Sequence, residues 1–244
     1  MDNSLYVGMS AAKQHFQQEA VLSHNVANAN TPGFKADQAD FHALYLNGPG
    51  LNDTAFTQLE SLSVDKSRGT LRTTNRELDV TTANGAYMEV QTPSGSRGYV
   101  TTASIQLDNQ GMLRTSEGHF LLDERGPASV PTGSKVTISP EGQIIARSPS
   151  GAVFREGYLQ LVELDHLKLG KSPEGLLISI DDTQSPRIYQ GDGIRTGVLE
   201  SSNVDSMLSL AELVHIQRSY EQSIKLMKAS DSMHRQSIGI LRGQ

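Results

Sequence analysis

The chain has 244 residues, 36% of them hydrophobic, and contains neither Cys nor Trp. This length is sufficient for one large domain or two small ones with a buried core. Without Cys, disulfide frameworks and thiol or Cys-metal chemistry are excluded. The formal net charge is -6. No segment forms the basic face that a nucleic-acid partner requires, so nucleic acid is not expected to bind.

Charge separates the two ends of the chain from its middle. Residues 1–35 carry two acids and two bases, and residues 201–244 carry four acids and five bases. The ends together therefore have a charge of +1. Because the net charge of the chain is -6, the middle carries -7. Near-neutral ends can pack closely against copies of themselves, whereas an acidic middle favours a solvated domain.

The first predicted element is an amphipathic helix from residue 4 to about residue 29. Its apolar positions recur at alternating steps of four and three residues, as in a coiled coil, but Glu19 and Ser23 interrupt the seam. Polar and charged residues throughout exclude a secretory signal and a membrane span, so we expect no membrane insertion and export without a cleaved signal peptide. The predicted seam consists of Leu5, Met9, Ala12, Phe16, Glu19, Ser23 and Val26.

The end of this helix is rich in asparagine. Pro32 biases Thr31 away from the helical region and Gly33 accepts a positive φ, so the helix is expected to end before them. Asn25 and Asn28 can either cap free carbonyls or hydrogen bond to a neighbouring chain, because an amide both donates and accepts.

Residues 36–76 form the second predicted region, a polar and turn-rich connection with a few short strands, in which Asn47-Gly48-Pro49-Gly50 acts as a breaker. Residues 77–200 follow as a β-rich domain with many short strands and intervening turns. This pattern favours a mainly antiparallel sandwich or a partly open barrel.

The last predicted element is a helix that begins near Val204, with Ser202 or Asn203 as its cap. Arg218 and Glu221 are three residues apart and are expected to pair on its surface. One apolar line is expected to pack on the first helix and the other on a neighbouring subunit. The first line consists of Leu210, Leu213, Gln217, Tyr220, Ile224 and Met227, and the second of Met207, Ala211 and Val214.

Two runs near the ends resemble the axial proteins of the bacterial flagellum, the rod and hook subunits. Residues 25–35 read NVANANTPGFK, and residues 202–204 and 217–221 read SNV and QRSYE. The opening MDNSLYVGMS and the modest length resemble a proximal-rod protein most, with a distal-rod protein as the alternative. Most members of that family carry paired Asn residues at this point, whereas this chain has His24 before Asn25. Asn75 stands where Gly is common, which is tolerable if the backbone there is left-handed.

The resemblance implies an α+β protein whose terminal helices (residues 1–35 with 201–244) pair in a coiled-coil-like core domain beside the β domain. It implies a structural subunit of the basal-body rod that spans the periplasm, assembles into a hollow helical tube and transmits torque. The implied partners are proximal and distal rod proteins, copies of this chain and the flagellar export apparatus. The implied assembly residues are Leu5, Met9, Phe16, Asn25, Val26, Asn28, Thr31, Gly33, Phe34, Asn203, Val204, Leu210, Leu213, Gln217, Arg218, Tyr220, Glu221, Ile224 and Met227.

The sequence contains no motif that supports an enzyme as the alternative class of protein. Leu169-Gly170-Lys171-Ser172 resembles the end of a phosphate-binding loop, but Asp165 occupies the position of its first Gly. The seven His residues show no zinc-ligand spacing, so we expect no enzyme, cofactor or metal site. A non-flagellar β binding module with helical dimerisation tails is the remaining alternative, although the absence of Trp disfavours a sugar-binding face.

Overall fold

The structure is a computed structural model that describes residues 3–48, 51–180 and 185–242. The side chains described are those of residues 8–42, 61–180, 185–229 and 232–233. Within these ranges, two long helices flank a mainly antiparallel β region, which confirms the predicted α+β class.

The helices are α1 (Asn3–Ala27) and α2 (Ser206–Arg242). The strands are β1 (Asp37–Gly48), β2 (Leu51–Val64), β3 (Leu71–Thr73), β4 (Asp79–Thr82), β5 (Ala86–Gln91), β6 (Arg97–Val100), β7 (Thr102–Leu107), β8 (Leu113–Thr115), β9 (Phe120–Asp123), β10 (Gly126–Pro127), β11 (Lys135–Ile138), β12 (Gln143–Arg147), β13 (Val153–Tyr158), β14 (Leu161–Glu163), β15 (Leu169–Lys171), β16 (Leu177–Ser179), β17 (Arg187–Ile188), β18 (Ile194–Thr196) and β19 (Val198–Glu200).

The chain divides into two compact units, each built from segments that are distant in sequence. The helical unit comprises Met1–Ala29, Asp37–Asp65 and Val204–Gln244. The β unit comprises Asn30–Ala36 and Lys66–Asn203. Each unit therefore draws on both the N-terminal and the C-terminal part of the chain.

In the helical unit, α1 packs against α2 and against the β1–β2 hairpin. The hairpin is antiparallel from Asp37↔Val64 to Gly48↔Leu51, with irregularities in register at two points. The prediction of a few short strands here is wrong, since β1 has 12 residues and β2 has 14. Of the predicted breaker, Asn47 and Gly48 are the last residues of β1, and Pro49 and Gly50 lie outside the described residues. Pairing along the whole length and packing on α1 stabilise strands that their polar composition alone does not predict.

In the β unit, a large sheet and a three-stranded sheet share one apolar core. The large sheet runs in the order β15-β16-β6-β5-β9-β8-β7-β4-β18, and the small sheet in the order β11-β12-β13. Alternate residues of β11 and β12 point into the core, as the period of a half-buried strand requires. The core includes Val80, Met88, Val90, Ile105, Leu113, Leu121, Val136, Ile138, Ile144, Ala146, Leu161 and Ile194.

A third, two-stranded sheet joins β3 to β19 in the same unit. Just after β3, Asn75 has a φ of 58°, so the backbone is left-handed where the resemblance has Gly. Thr74 and Asn75 both donate their backbone N–H groups to the carbonyl of Gly197, at 2.8 and 3.2 Å. The turn at this position is therefore fixed by the backbone of the strand that leads toward α2.

Candidate assembly interface

The face that joins α1 to α2 is narrow. A Cβ added to Gly8 would lie 2.6 Å from Cγ of Met227, and Gln217 Nε2 donates to Glu19 Oε1 at 3.3 Å. These two contacts show that the helices are antiparallel. Among the α2 side chains that the structure describes, Ile216 alone is buried. Leu213, Ile224 and Met227, predicted for this seam, are half-buried.

One side of α1 presents apolar side chains to solvent. Met9 is 55% exposed and Phe16 is 66% exposed. The two residues are seven positions apart, which is close to two helical turns, so they lie on one stripe. In the isolated chain most of each side chain is therefore open to solvent. The side chain of Leu5, predicted for the same stripe, lies outside the described residues.

The surface of α2 carries further apolar side chains on opposite sides of its contact with α1. Met207, Leu210 and Val214 form a stripe on one side at steps of three and four residues, and all three are exposed. Leu226 and Met233 are seven residues apart and form a second, short stripe on the other side. Leu208 is exposed on that side too, but it lies eighteen residues, about 27 Å along the helix, from Leu226. In the described part of the chain, these side chains are left open to solvent.

The remaining predicted residues of α2 are all at least partly exposed. Tyr220 is half-exposed and Gln217 bonds to α1 as described above. Arg218 and Glu221 are both exposed, and their described side chains form no ion pair with each other, so the expected pairing is wrong. Both charged groups point into solvent, where such a pair gains little free energy.

The asparagines at the end of α1 bond within the chain. Asn25 is buried, donates through Nδ2 to the carbonyl of Asp37 at 2.9 Å, and accepts the N–H of Asp37 at Oδ1 at 2.8 Å. Asn28 Nδ2 donates to the carbonyl of His24 at 3.0 Å. His24 Nδ1 lies 2.7 Å from Asp37 Oδ2. These groups fix where β1 begins beside α1, while Val26 lies half-buried between them.

The start of α2 is capped by Asp205. Its Oδ1 accepts the N–H groups of Met207 and Leu208 at 2.9 and 3.1 Å. The prediction of Ser202 or Asn203 as the cap is therefore wrong. In the β unit, Asn203 Oδ1 accepts the N–H of Ala36 at 2.7 Å, and its Nδ2 donates to the carbonyl of Ser67 at 3.2 Å. Val204, which follows, is half-buried.

A buried ionic junction holds the segments of the β unit that lead to the two helices. Glu200 is completely buried and Lys35 nearly so, and Lys35 Nζ donates to Glu200 Oε1 at 2.6 Å. Arg68 pairs with the other carboxylate oxygen. Lys35 also donates to the carbonyl of Ser67 at 2.8 Å, and Gly69 N–H donates to Glu200 Oε1 at 3.0 Å. Every polar atom of the Glu200 carboxylate thus has a partner.

The Asn30–Ala36 segment before β1 contributes to this junction through its backbone. Gly33 has a φ of 72° and donates its N–H to the carbonyl of Glu200 at 2.8 Å. Phe34 N–H donates to the carbonyl of Thr31 at 3.3 Å. Lys171 Nζ lies 3.5 Å from the centre of the Phe34 ring, a cation–π contact that sequence analysis did not anticipate.

The electrostatics of the junction favour ionised Glu200. Burial alone would raise the pKa of Glu200, but the hydrogen bond from Lys35 and the charges of Lys35 and Arg68 outweigh it and lower that pKa from 4.5. The Gly69 N–H acts in the same direction. Sequence analysis missed this cluster because Lys35 and Glu200 are 165 residues apart.

The described residues contain no group of three or more His, Cys, Asp or Glu side chains arranged to hold a metal ion. They also contain no helix that is both long enough and apolar enough to cross a bilayer.

Comparison with known proteins matches both ends of the chain to flagellar families. Residues 5–35 match the family model "Flagella basal body rod protein", and residues 195–240 match "Flagellar basal body rod FlgEFG protein C-terminal". The matched ranges contain α1, its asparagine-rich end, the SNV run and most of α2. The residues that carry the resemblance in the sequence are therefore the residues that the family models cover.

Similarity to curated proteins extends over the whole chain. The chain is 33% identical to the flagellar basal-body rod protein FlgF of Escherichia coli, over 95% of each chain. The chain belongs to the flagellar basal-body rod protein family. It is 26% identical to FlgF of Caulobacter vibrioides, over 98% of this chain and 97% of the relative. It is also 26% identical to FlgG of Bacillus subtilis, over 99% of this chain and all of the relative.

Family membership establishes the general function. The chain is a structural subunit of the bacterial flagellar basal body, in a family without enzymatic activity. This result supports the flagellar interpretation over a non-flagellar binding module. It leaves the mode of assembly to be argued from the exposed stripes of α1 and α2.

Proposed function

We propose that this rod protein is a proximal-rod subunit of the FlgF type that polymerises through α1 and α2. In this proposal, copies of the chain and neighbouring rod proteins cover the exposed stripes and form a hollow helical tube. The tube spans the periplasm and transmits torque between motor and hook. The FlgF type is supported by the 33% identity to the Escherichia coli protein over nearly the whole chain.

The exposed stripes carry the proposal. Phe16, Met207 and Leu226 are all more than half exposed, although large apolar side chains gain about 1.5–3 kcal/mol each when fully buried. Three separate stripes require partners on several sides, which a closed dimer cannot supply. A heterologous contact that does not close instead extends into a helical filament. This geometry supports a subunit surrounded by other helices and supports a coiled-coil-like packing in the assembly.

The stability of the helical unit suits a protein that must assemble only at its destination. Helices gain most of their stability from packing, and Ile216 is the one α2 side chain buried among those described. Free subunits would therefore hold α1 and α2 together weakly, and polymerisation would supply the missing contacts. We propose that the chain leaves the cytoplasm through the flagellar export apparatus without cleavage of a signal peptide.

Deletion of the chain from Val204 onward tests this assembly mechanism. The deletion removes α2 and both of its stripes but leaves the N-terminal run intact, so that export and assembly can be measured separately. We expect the shortened protein in the secreted fraction but not in purified basal bodies, and we expect non-motile cells. A secreted, shortened protein that enters basal bodies at normal occupancy would refute the mechanism.

A matched control separates loss of the stripes from loss of length. Replacing Leu208, Leu226 and Met233 with Ser in the full chain removes the second stripe and the exposed Leu208 while leaving α2 and Ile216 in place. Because all three side chains are exposed, the free subunit should unfold at the same urea concentration as the unmodified protein. Incorporation into the rod should nevertheless fall.

A further inference from the structure

The β unit carries a groove that rod assembly through α1 and α2 does not use. It has a volume of about 490 Å³ and lies between the β11–β12 turn, the end of β13, and β14 and β17. Its apolar lining includes Tyr158, Leu161, Ile188 and Tyr189, and its acidic lining consists of Glu124 and Glu141. The groove lies entirely within the β unit.

The apolar lining is unusually open to solvent. Ile188 is 76% exposed and Tyr158 is 43% exposed. Leu161, in contrast, is buried and belongs to the apolar core, so the floor of the groove is firmly packed. An exposed isoleucine and tyrosine above a rigid apolar floor form the kind of surface by which proteins bind partners.

The walls of the groove are held in place by hydrogen bonds. Tyr189 N–H donates to the carbonyl of Leu161 at 3.0 Å, and Tyr158 OH accepts from Gln143 Nε2 at 3.1 Å. Glu141 Oε2 accepts from Ser139 Oγ at 2.7 Å. An occupant would therefore find the site already formed, which lowers the conformational cost of binding.

The charge of the groove selects its occupant. Glu124 and Glu141 are both exposed, and neither forms an ion pair with the described Lys, Arg or His side chains. Two unpaired carboxylates beside an apolar floor attract a cation and repel an acidic partner. An acidic glycan is disfavoured for the same reason.

We propose that this groove binds a basic segment of a neighbouring protein chain. A lysine or arginine fits both parts of the groove, since its alkyl stem can lie on Tyr158 and Ile188 while its charged end reaches Glu124 and Glu141. The tyrosine ring adds a cation–π contribution. This binding goes beyond the proposed function, because it involves the β unit and not the exposed stripes of α1 and α2.

Photo-crosslinking of the full chain in cells tests the proposal. The photoreactive amino acid p-benzoylphenylalanine replaces Ile188, whose exposure makes the change harmless to folding, and replaces Ile180 in a control variant. Ile180 is exposed in the same unit but does not line the groove. After irradiation, basal bodies are purified and the crosslinked peptides are identified by mass spectrometry. We expect position 188, and not position 180, to crosslink to a positively charged segment of a neighbouring protein chain.

Charge reversal provides the second arm. Glu124→Lys with Glu141→Lys should reduce the crosslink at least about tenfold, because like charges placed against each other at an interface cost several kcal/mol. Glu117→Lys with Glu174→Lys changes the net charge equally outside the groove and should leave the crosslink unchanged. A crosslink to glycan or to a neutral or acidic segment would overturn the proposal. Absence of any crosslink in motile cells would overturn it too, without affecting the proposed rod function.

Discussion

Glu200 is the residue on which the junction of the β unit depends. Its carboxylate is buried with Lys35, so Glu200→Gln would leave a buried ammonium group without a counterion. Removing one partner of a buried ion pair typically costs about 3–5 kcal/mol. We expect a loss of this size in the free energy of unfolding of the β unit, measured by urea denaturation at neutral pH. Glu89→Gln is the matched control, because the partner of Glu89 is the exposed Arg97. This variant should lose much less unfolding free energy.

The lowered pKa of Glu200 predicts how the effect depends on pH. Because the folded-state pKa lies below the ordinary value of 4.5, ionised Glu200 stabilises the fold fully above that value. The stabilisation is lost as the pH falls below 4.5 toward the lowered pKa. The stability difference between the unmodified protein and Glu200→Gln should therefore be constant at neutral pH and shrink in acid. A difference that shrinks between pH 8 and pH 6 would contradict this assignment.

Asn75 allows a separate test of backbone conformation. Its φ of 58° is the only positive value among the described non-Gly residues. Asn75→Gly should leave the unfolding free energy nearly unchanged, whereas Asn75→Val should lower it by about 1–2 kcal/mol, the cost of a left-handed L-residue. Asn109, an exposed turn residue with no positive φ, is the control position. Equal losses for Val at both positions would show that the conformation of Asn75 has no energetic role.

At the residue scale, sequence reasoning succeeds where the cause is local. The possibility of a left-handed Asn75 follows from its own side chain and position. The junction does not, since Lys35, Arg68 and Glu200 meet only when distant segments fold together. The cap at Asp205 was missed because Ser202 and Asn203 are equally good capping residues, and only the observed start of α2 at Ser206 distinguishes them.

At the scale of elements, the exposed and buried sides of the helices should respond differently to mutation. Phe16→Ala removes an exposed side chain, so the free subunit should keep its stability while incorporation into the rod falls. Ile216→Ala removes a buried one and should cost about 2–5 kcal/mol in a folded helical unit. Amide hydrogen exchange of α1 and α2 in the free subunit measures the stability of the helical unit in each variant. Occupancy in basal bodies measures incorporation into the rod. Faster exchange in Phe16→Ala than in Ile216→Ala would contradict the assignment of faces.

Periodicity predicted the helices well and the strands between them poorly. Both helices have apolar stripes that can be read from spacing, and their observed bounds are close to those expected. Spacing did not show which stripe contacts the other helix, because Met9 and Phe16 fit a coiled-coil seam yet face solvent. The β1–β2 hairpin was missed because polar strands are stabilised by their pairing partner and by α1, and neither is visible locally.

At the scale of the whole molecule, the two ends of the chain and its middle have different roles. The near-neutral ends contain most of the residues that the two flagellar family models match, and the acidic middle contains the apolar core of the β unit. Charge and the motifs at the ends predict a difference between the ends and the middle, but they did not predict that residues 37–65 belong to the helical unit. The sequence could not predict the groove on the β unit, which is formed by turns that are distant in sequence.

The central claim is that the rod covers surfaces that the free subunit exposes, and cysteine labelling tests it most directly. The chain has no Cys, so Phe16→Cys introduces a single thiol on the exposed stripe of α1. Glu174→Cys, in an exposed turn of the β unit, is the control for access of the reagent. We expect Phe16→Cys to react quickly with maleimide in the free subunit and at least about tenfold more slowly in purified basal bodies, because reaction then requires local opening of a packed interface. Equally fast labelling of Phe16→Cys in the free and assembled protein would contradict the account.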